Sequence, residues 1–314
     1  MSTSQASSHA RPRQRQLSDR AIINLFIWPT LILLILMNVI PLVYSLYLSF
    51  TEYSAIRAAA PVWIGLENFI DLLNDEKMWQ FFATTGRYAL ITVSLQTVLG
   101  FGLAMLVREK FNGSGLVTTL ILIPMMLSPV VVGLFWKLMY NPTFGYFNYM
   151  IGFLNPAAGP DMLASSFARD FVPNLALIAV AFVDVWMWTP FVMLLVLSGL
   201  KAIPDYLYEA AAIDRASSWF QFWRITVPQV MPLLMIAILF RTIEAFKSFD
   251  LVMGMTGGGP GVQTELIAIN LYRQAMLGTW DTGRSSALAY MILIVILAVS
   301  NLYILYLNRM KGEA

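Results

Sequence analysis

The chain has 314 residues, of which 58% are hydrophobic and 12% charged, and its formal net charge is +2. Soluble domains carry about a quarter charged residues, so the composition predicts an integral membrane protein. The small net charge gives no reason to expect nucleic acid as a partner. There is no cysteine, and the sole histidine, His9, lies in a polar tail. Disulfides, thiolate chemistry and histidine-based metal or proton sites within the membrane are therefore excluded.

The N-terminal 20 residues are polar and rich in arginine, and a long apolar run from Ala21 to Phe50 follows them. This run is much longer than the apolar region of a signal peptide, and no small-residue cleavage site closes it. We therefore interpret it as a retained first membrane span. The resulting division is a cytoplasmic tail at residues 1–20, a transmembrane domain at 21–309 and a cytoplasmic C-terminus at 310–314.

Six apolar segments are long enough to cross a bilayer, because a helical span needs about 20 mostly apolar residues. They cover approximately residues 22–50, 88–107, 116–139, 174–200, 230–253 and 287–307. Helices are expected, since open sheets would leave backbone groups without hydrogen-bond partners in lipid. Four prolines are expected to kink or loosen the spans; they are Pro41, Pro129, Pro190 and Pro232.

Lys and Arg predict the orientation, because the cytoplasmic loops of membrane proteins carry an excess of both residues. If the N-terminus is inside, the cytoplasmic segments hold more Lys and Arg than the longer outer loops. The sequence thus predicts an all-α integral membrane protein with six transmembrane helices and both termini in the cytoplasm. The loop at residues 201–228, between the fourth and fifth helices, then faces the cytoplasm.

That cytoplasmic loop is too polar to span a bilayer, and its first half predicts a short helix. Pro204 and Asp205 suit a first helical turn. The run Ala210–Ala212 favours helix and leaves an almost flat face, with the carboxylates of Glu209 and Asp214 beside it. Such a face allows another backbone to come close.

The second half of the loop predicts a second helix. Ser218 and Gln221 match a capping box at its start, and Pro228 is expected to end it. An apolar stripe at helical spacing follows the cap; it consists of Trp219, Phe222, Trp223 and Thr226. The pair could be a plain connector on the inner leaflet or a docking surface for a protein. A lipid-binding helix prefers Lys and Arg on its polar face, so the acidic first helix favours the protein partner.

The stretch from Tyr208 to Pro228 resembles the EAA loop of permease subunits in bacterial ATP-binding-cassette importers. The family pattern is E-A-A-x-x-D-G-A followed, after a short spacer, by I-x-L-P. Arg215 departs from it where the family usually has glycine, and Val227 where it has leucine. Two further stretches, GLKAIPDYLYEAA and FRTIEAFKSFDLVMGMTGGGP, resemble permeases of the maltose and glycerol-phosphate type. The matching positions in the loop are Glu209, Ala210, Ala211, Asp214, Ala216, Ile225 and Pro228.

The resemblance implies that this loop seats in a cleft of a cytoplasmic ATPase subunit. The chain has no Gly-Lys dipeptide and hence no Walker A loop. ATP and Mg²⁺ are therefore expected in two partner ATP-binding subunits, with no cofactor and no catalytic or metal site in this chain, which is a transport subunit and not an enzyme. The ATPase-coupling residues implied are Glu209, Ala210, Ala211, Asp214, Arg215 and Ala216.

The fifth span carries four charges at steps of three: Arg241, Glu244, Lys247 and Asp250. Charges within a bilayer are rare and usually face a cavity. Neighbours of opposite sign three residues apart on a helix can also neutralise one another. The alternatives are therefore a pathway lining, a self-satisfied ladder of charges, or snorkelling of the last two side chains to the outer interface.

In maltose-type permeases, residues of the third, fourth and fifth core spans line the sugar at mid-membrane. Arg241 and Ala245 depart from that pattern, in which several positions are amides or hydroxyls. Our hypothesis is that Arg241 contacts a polyol, phosphate or sulfonate group, because a guanidinium suits bidentate anion contacts. The substrate-pathway residues predicted in this chain are Met125, Met187, Trp188, Phe191, Arg241, Glu244, Ala245 and Ser248.

The resemblance also implies further partners: a second homologous permease in a heterodimer, an extracytoplasmic solute-binding protein and the lipid of a bacterial inner membrane. The binding protein is expected to dock on the outer TGGGP loop, where glycines permit turns that other residues resist. The alternative function is an ion-coupled secondary transporter of a small polar solute, against which stands the lack of an inverted repeat. The predicted docking residues are Thr256, Gly257, Gly258, Gly259 and Pro260.

Overall fold

The protein is described here from a computed structural model, which covers residues 18–57, 59–109, 111–141, 144–147, 149–150, 175–278 and 280–312. Most of the predicted N-terminal tail and the last two residues lie outside the described residues. The main helices are α1 (Asp19–Leu34), α2 (Ile40–Ser49), α3 (Glu67–Asn74), α4 (Glu76–Val107), α5 (Ser114–Leu122), α6 (Pro129–Met139), α7 (Leu175–Ala202), α8 (Asp205–Ile213), α9 (Ser218–Gln221), α10 (Val227–Phe246), α11 (Asp250–Met255), α12 (Ile267–Tyr272) and α13 (Thr282–Gly312).

Five helical stretches in the described part of the chain are long and apolar enough to cross a membrane. A π-helical turn at Ile35–Val39 joins α1 to α2, and another at Phe222–Thr226 joins α9 to α10, so each pair forms one continuous stretch. The five stretches overlap five of the six predicted spans. They are Ile23–Ser49, Glu76–Val107, Leu175–Ala202, Ser218–Phe246 and Thr282–Arg309.

The predicted third span is not one helix, and in this respect the expectation was wrong. α5 ends at Leu122, a 3-10 turn follows at Pro124–Met126, and α6 begins at Pro129. Leu127 and Ser128 are extended between them, with ψ near 150° and 130°. Proline restricts the residue before it to extended conformations and lacks the N–H of a helical bond. Ser128 precedes Pro129 and is extended as this rule requires, so Pro129 separates the two helices and leaves α6 only 11 residues long.

The predicted fifth span is also interrupted near its end. α10 stops at Phe246 and α11 begins at Asp250, so the chain leaves the helix at residues 247–249. Phe249 has φ −134° and ψ −60°, outside the helical region. The four charges at steps of three therefore do not share one helix.

The second helix of the loop at residues 201–228 does not end at Pro228 as predicted. It continues through the π-helical turn into α10, and Pro228 falls just after that turn, where the regular i→i−4 bonding is already interrupted. The capping residue is Ser217 and not Ser218, because the Ser217 hydroxyl accepts from the Phe220 amide at 3.2 Å. The predicted start of the first helix, after Pro204, is confirmed by α8.

The structure also contains one small sheet, which the all-α prediction did not include. Two-residue strands, β1 (Thr51–Glu52) and β2 (Val62–Trp63), pair antiparallel between α2 and α3. The Asn68 side chain in α3 donates to the backbone carbonyls of Ser49 and Thr51 at 3.0 and 2.9 Å. This amide holds the hairpin against the end of α2. Periodicity over a membrane span gives no signal for strands this short.

The centre of the fold is α7. Of its most apolar stretch, 67% is buried, against 6% for the stretch formed by α1 and α2. α7 packs along α4 and α10, and the approach to α4 is close at Gly100, where a Cβ would lie 2.7 Å from the Val192 Cβ. These three helices together enclose a cluster of buried polar side chains.

Candidate functional site

One buried polar cluster joins α4, α7 and α10. Arg241 Nη2 donates to Asp184 Oδ2 at 3.0 Å, and Arg241 Nε donates to Gln96 Oε1 at 2.9 Å. Gln96 Nε2 donates in turn to the same carboxylate oxygen of Asp184 at 2.9 Å. All three side chains are almost fully buried. A charge buried in this way is tolerable only when it is paired and hydrogen-bonded.

Two aromatic residues complete the cluster. The Arg241 guanidinium lies over the Trp188 ring, 4.9 Å from its centroid, so one face of that ring is already covered. The Tyr88 hydroxyl lies 3.3 Å from Ser248 Oγ, at the break that follows α10. The cluster thus connects three long helices to the segment where α10 gives way to α11.

A cavity of about 100 Å³ opens beside this cluster. Its wall includes residues on both sides of the break between α10 and α11, and most of its polar lining is charged. The charged residues that line it are Asp184, Arg241, Glu244, Lys247 and Asp250. The cavity is smaller than the roughly 300–1,000 Å³ of typical ligand sites; it is a candidate site because ionisable groups at membrane depth usually face a cavity or a pathway.

The predicted pathway residues separate into two groups. The cavity wall contains Trp188, Arg241, Glu244 and Ser248. The other four lie outside that wall: Met187 and Ala245 are buried in the apolar core beside it, Phe191 packs with a second apolar cluster, and Met125 lies in the 3-10 turn after α5.

Pairing between charges three residues apart, one of the alternatives left open, holds for Glu244 and Lys247 but not for Arg241. Arg241 pairs with Asp184 of α7 and not with Glu244. Glu244 pairs with Lys247 at 3.0 Å, and both side chains are more than half exposed. The site residues predicted from the sequence did not include Asp184 or Gln96. A lone carboxylate in an otherwise apolar span was the signal that could have found Asp184.

The predicted coupling residues lie in α8 and in the turn between α8 and α9. Glu209, Ala210 and Asp214 are exposed, and Ala211 and Ala216 are half-buried. The Tyr208 hydroxyl lies 2.9 Å from Thr226 Oγ1 and accepts from Arg108 Nη1 at 3.2 Å. It therefore ties α8 both to the end of α4 and to the start of α10.

Arg215 makes the turn that relatives make with glycine. Its φ is +54°, in the left-handed region, which costs a residue other than glycine about 1–2 kcal/mol. Behind it, the Ala216 amide donates to the Ala211 carbonyl at 2.9 Å and the Arg215 amide donates to the Ala212 carbonyl at 3.0 Å. These two bonds close the end of α8 in the pattern of a Schellman motif, so the turn is kept despite the substitution.

The predicted docking residues at 256–260 are half-buried or buried, with Gly258 the most buried. Their backbone is tied to the residues that follow them: Arg273 Nη2 donates to the Gly257 carbonyl, and the Thr264 hydroxyl donates to the Gly259 carbonyl at 2.6 Å. Among the described residues, no group of three His, Cys, Asp or Glu side chains lies close enough to hold a metal ion.

Long apolar helices around a small charged cavity define a multi-pass membrane protein with a polar internal site. A family model described as "Binding-protein-dependent transport system inner membrane component" matches residues 96–311. The chain is 36% identical over 276 residues to a probable ABC transporter permease protein, y4oQ, of Sinorhizobium fredii, covering 88% of this chain and 86% of the relative. It is 32% identical over 280 residues to the trehalose/maltose transport system permease protein MalF of Thermococcus litoralis, covering 89% and 91% of the two chains.

A solved structure has the same fold. It is a bacterial alginate ABC transporter in complex with an alginate pentasaccharide-bound periplasmic protein; the TM-score is 0.74, the identity 19%, and the coverage 92% of this chain and 93% of that chain. The chain belongs to the binding-protein-dependent transport family and is a permease subunit of the carbohydrate-uptake ABC importer type. It is thus a transport subunit and not an enzyme, and the ion-coupled alternative is not favoured.

Proposed function

We propose that this subunit forms half of the translocation pathway of an ATP-driven importer for a sugar or sugar-like solute. A second homologous permease completes the pathway as a heterodimer in the bacterial cytoplasmic membrane. α5 and α6 together make the third of six spans, and both termini are cytoplasmic. An extracytoplasmic binding protein delivers the solute, and two ATP-binding subunits hold the ATP and Mg²⁺. The family description and the binding protein in the alginate complex support these partners.

The observation that carries the pathway proposal is the charged face at the end of α10. Glu244 and Lys247 are more than half exposed, although they lie at the end of a helix apolar enough to cross a membrane. Ionisable groups at membrane depth are costly in lipid and usually face a cavity or another protein. We therefore place the pathway and the second permease along this face.

The pairing of the charges favours a neutral solute over an anionic one. Both cations that line the cavity, Arg241 and Lys247, are already paired with carboxylates. An entering phosphate or sulfonate would have to displace a carboxylate from its cation, whereas a hydroxyl can donate to Asp184 and accept from Arg241. We therefore propose that Arg241 contacts a hydroxyl group of the solute and not a phosphate or sulfonate. Substrate-stimulated ATPase activity of the complex should then fall in Arg241→Ala.

Reconstituted uptake tests the transport class. Vesicles containing the assembled complex should take up solute from its binding protein only with ATP inside, and vanadate should stop that uptake. An ionophore that collapses the ion gradients should leave uptake unchanged. Uptake that resists vanadate and stops with the ionophore would instead establish the ion-coupled alternative.

Coupling to the ATPase is proposed to run through α8. Glu209 and the alanines beside it form a flat, acidic, exposed face, which suits close approach by a partner. Tyr208 transmits a shift of α8 to α4 and α10 through its contacts with Arg108 and Thr226.

The variant Glu209→Lys is expected to lower co-purification of the ATPase subunit about tenfold, because reversing the charge of this face removes its complementarity to the partner, and a loss of about 1.4 kcal/mol weakens binding tenfold. Glu67→Lys is the matched control, since Glu67 is also exposed but lies in α3 on the other proposed side of the membrane. Equal recovery of the ATPase with both variants would disprove coupling through this face.

A further inference from the structure

The helix formed by α9 and the π-helical turn after it carries large aromatic side chains on its surface. Trp219 and Phe220, in α9, and Trp223, in the π-helical turn, are 71%, 52% and 50% exposed. Phe222 is half-buried instead and packs edge-on against Phe101 of α4, with the ring centroids 5.7 Å apart. The exposed rings are therefore presented outward by a helix that is fixed to the membrane domain.

One cation belongs to the same exposed surface. Arg224 lies four residues after Phe220, and residues four apart share one side of a helix. Trp219 and Trp223 have the same spacing, and their ring centroids are 5.6 Å apart. Arg224 is exposed and forms no salt bridge with any residue that the structure describes. An unpaired arginine beside exposed tryptophans is typical of a helix that lies in a membrane interface.

The length of the span places these residues at the level of the lipid headgroups. The stretch Ser218–Phe246 has 29 residues, about 43 Å at 1.5 Å per residue, whereas the hydrocarbon core is about 30 Å thick. The excess is roughly nine residues, and α9 and the π-helical turn contain 4 and 5. The excess falls at this end, because α11 continues the crossing on the other side with buried apolar side chains. Headgroup level is where tryptophan is enriched in membrane proteins.

Charge separates this surface from the neighbouring helix α8. Asp205 and Glu209 lie in α8, which contains no Lys or Arg, and Asp214 follows at its end. From position 215 to position 243 the chain has no acidic residue. A protein cleft complementary to α8 would be positively charged and would repel Arg224. The cytoplasmic leaflet of a membrane has a negative surface potential, which attracts Lys and Arg.

We propose that the aromatic face, formed by Trp219, Phe220, Trp223 and Arg224, binds anionic phospholipid of the cytoplasmic leaflet. The rings lie against the acyl chains below the headgroup, and the Arg224 guanidinium donates to the phosphate. The second helix thus stays at the membrane, and α8 is free to follow the ATPase subunit. This inference rests on the proposed function, because it takes the loop at residues 201–228 to be cytoplasmic and α8 to contact the ATPase.

Fluorescence quenching in the assembled complex tests the contact. The chain has no cysteine, so Phe220→Cys can carry a bimane label once any cysteines of the partner subunits are replaced. Ile213→Cys is the matched control, since Ile213 is 82% exposed but lies in α8. Phosphatidylglycerol with brominated acyl chains, added to phosphatidylcholine vesicles, should quench the label at Phe220→Cys and not at Ile213→Cys. Absent quenching at Phe220→Cys, or equal quenching at both positions, would overturn the lipid site.

Arg224 is tested for recognition of the anionic headgroup. In the complex labelled at Phe220→Cys, brominated phosphatidylglycerol should quench at a several-fold lower mole fraction than brominated phosphatidylcholine. Arg224→Gln should raise the fraction of phosphatidylglycerol for half-maximal quenching about fivefold, which corresponds to about 1 kcal/mol per basic residue near an anionic surface. Arg224→Lys should keep most of the preference, because lysine retains the charge.

Arg57→Gln is the control for Arg224→Gln, since Arg57 is also exposed but lies in the outer hairpin between β1 and β2. It should leave the half-maximal fraction unchanged. Equal quenching by the two lipids when Arg224 is present, or the same shift in Arg57→Gln, would contradict recognition of an anionic headgroup by this face.

The same measurements separate the lipid from a protein partner and from the proposed function. If the aromatic face docks the ATPase, Arg224→Gln should lose that subunit on purification and the label at Phe220→Cys should stay unquenched, which would overturn the lipid site. Quenching reports lipid contact whether or not the vesicles transport solute. Failure of ATP-driven uptake with normal quenching would therefore disprove the proposed function alone, and uptake without quenching would disprove the lipid site alone.

Discussion

At the scale of single residues, the central feature is a charge pair made between helices. Arg241 is 57 residues from Asp184 and 145 from Gln96 along the chain. Spacing along one helix left open whether Arg241 pairs with Glu244 or lines the pathway, and the structure pairs it with a carboxylate of α7 instead. The unusual depth of Arg241 was visible in the sequence; its partner was not.

Asp184→Asn should destabilise the complex strongly, since it leaves Arg241 buried without a countercharge. Removal of one partner of a buried pair costs about 3–5 kcal/mol. Lys247→Gln, which removes the exposed pair with Glu244, should cost about 0–1 kcal/mol. The thermal unfolding midpoint of the purified complex measures both. Similar decreases in the two variants would show that burial does not distinguish the pairs.

Arg215 shows at the same scale how a family position tolerates a substitution. The left-handed backbone of this residue is strained relative to glycine. The two hydrogen bonds behind it and its exposed side chain allow the turn to persist. The sequence shows only that the glycine of the family pattern is absent here; the structure shows that Arg215 itself adopts the left-handed conformation of the turn.

At the scale of elements, helix breaks surround the cavity. α6 and α11 are short, and they cross where a Cβ on Gly133 would lie 2.6 Å from the Leu251 carbonyl oxygen. Pro129, at the start of α6, and Leu251, in α11, both line the cavity. The breaks therefore replace continuous spans with short helices that can approach one another closely.

Gly133→Ala is expected to push α11 away from α6, because its methyl group would overlap a backbone atom. Overpacking of this kind costs about 1–3 kcal/mol, so both the unfolding midpoint and ATP-driven uptake should fall. Gly102→Ala in α4 is the control, since nothing lies within 4 Å of its Cβ and alanine favours a helix interior. Unchanged uptake in Gly133→Ala would show that the crossing tolerates a methyl group and does not constrain the cavity.

At the scale of the whole molecule, the proposed topology separates the coupling helix from the outer loop. The helical stretch from Ser218 to Phe246 has 29 residues, which corresponds to about 43 Å at 1.5 Å per residue. This is sufficient to cross a bilayer of about 30 Å. In the proposed topology Ile213, in α8, lies on the cytoplasmic side and Val262, in the loop after α11, lies on the outer side. Both side chains are well exposed, so each can report on its side of the membrane.

Cysteine accessibility tests this arrangement. In intact spheroplasts, a membrane-impermeant maleimide should label Val262→Cys, and Ile213→Cys should be labelled only after permeabilisation. Alkylation of both variants by a permeant maleimide is the control for thiol reactivity. Labelling of Ile213→Cys in intact spheroplasts would place α8 outside the cell and contradict both the topology and the coupling proposal.

The sequence by itself determined the class of protein, most of the spans, the helix pair and the family. These properties depend on composition and short-range periodicity, which a stretch of adjacent residues records. Only the tertiary structure decided which carboxylate neutralises Arg241. It also decided that α6 and α11 are separate short helices, and that Arg273 binds the backbone of the TGGGP loop. Each of these depends on the packing of segments far apart in the chain, because a buried charge or a backbone carbonyl bonds to whatever group the fold brings within about 3 Å.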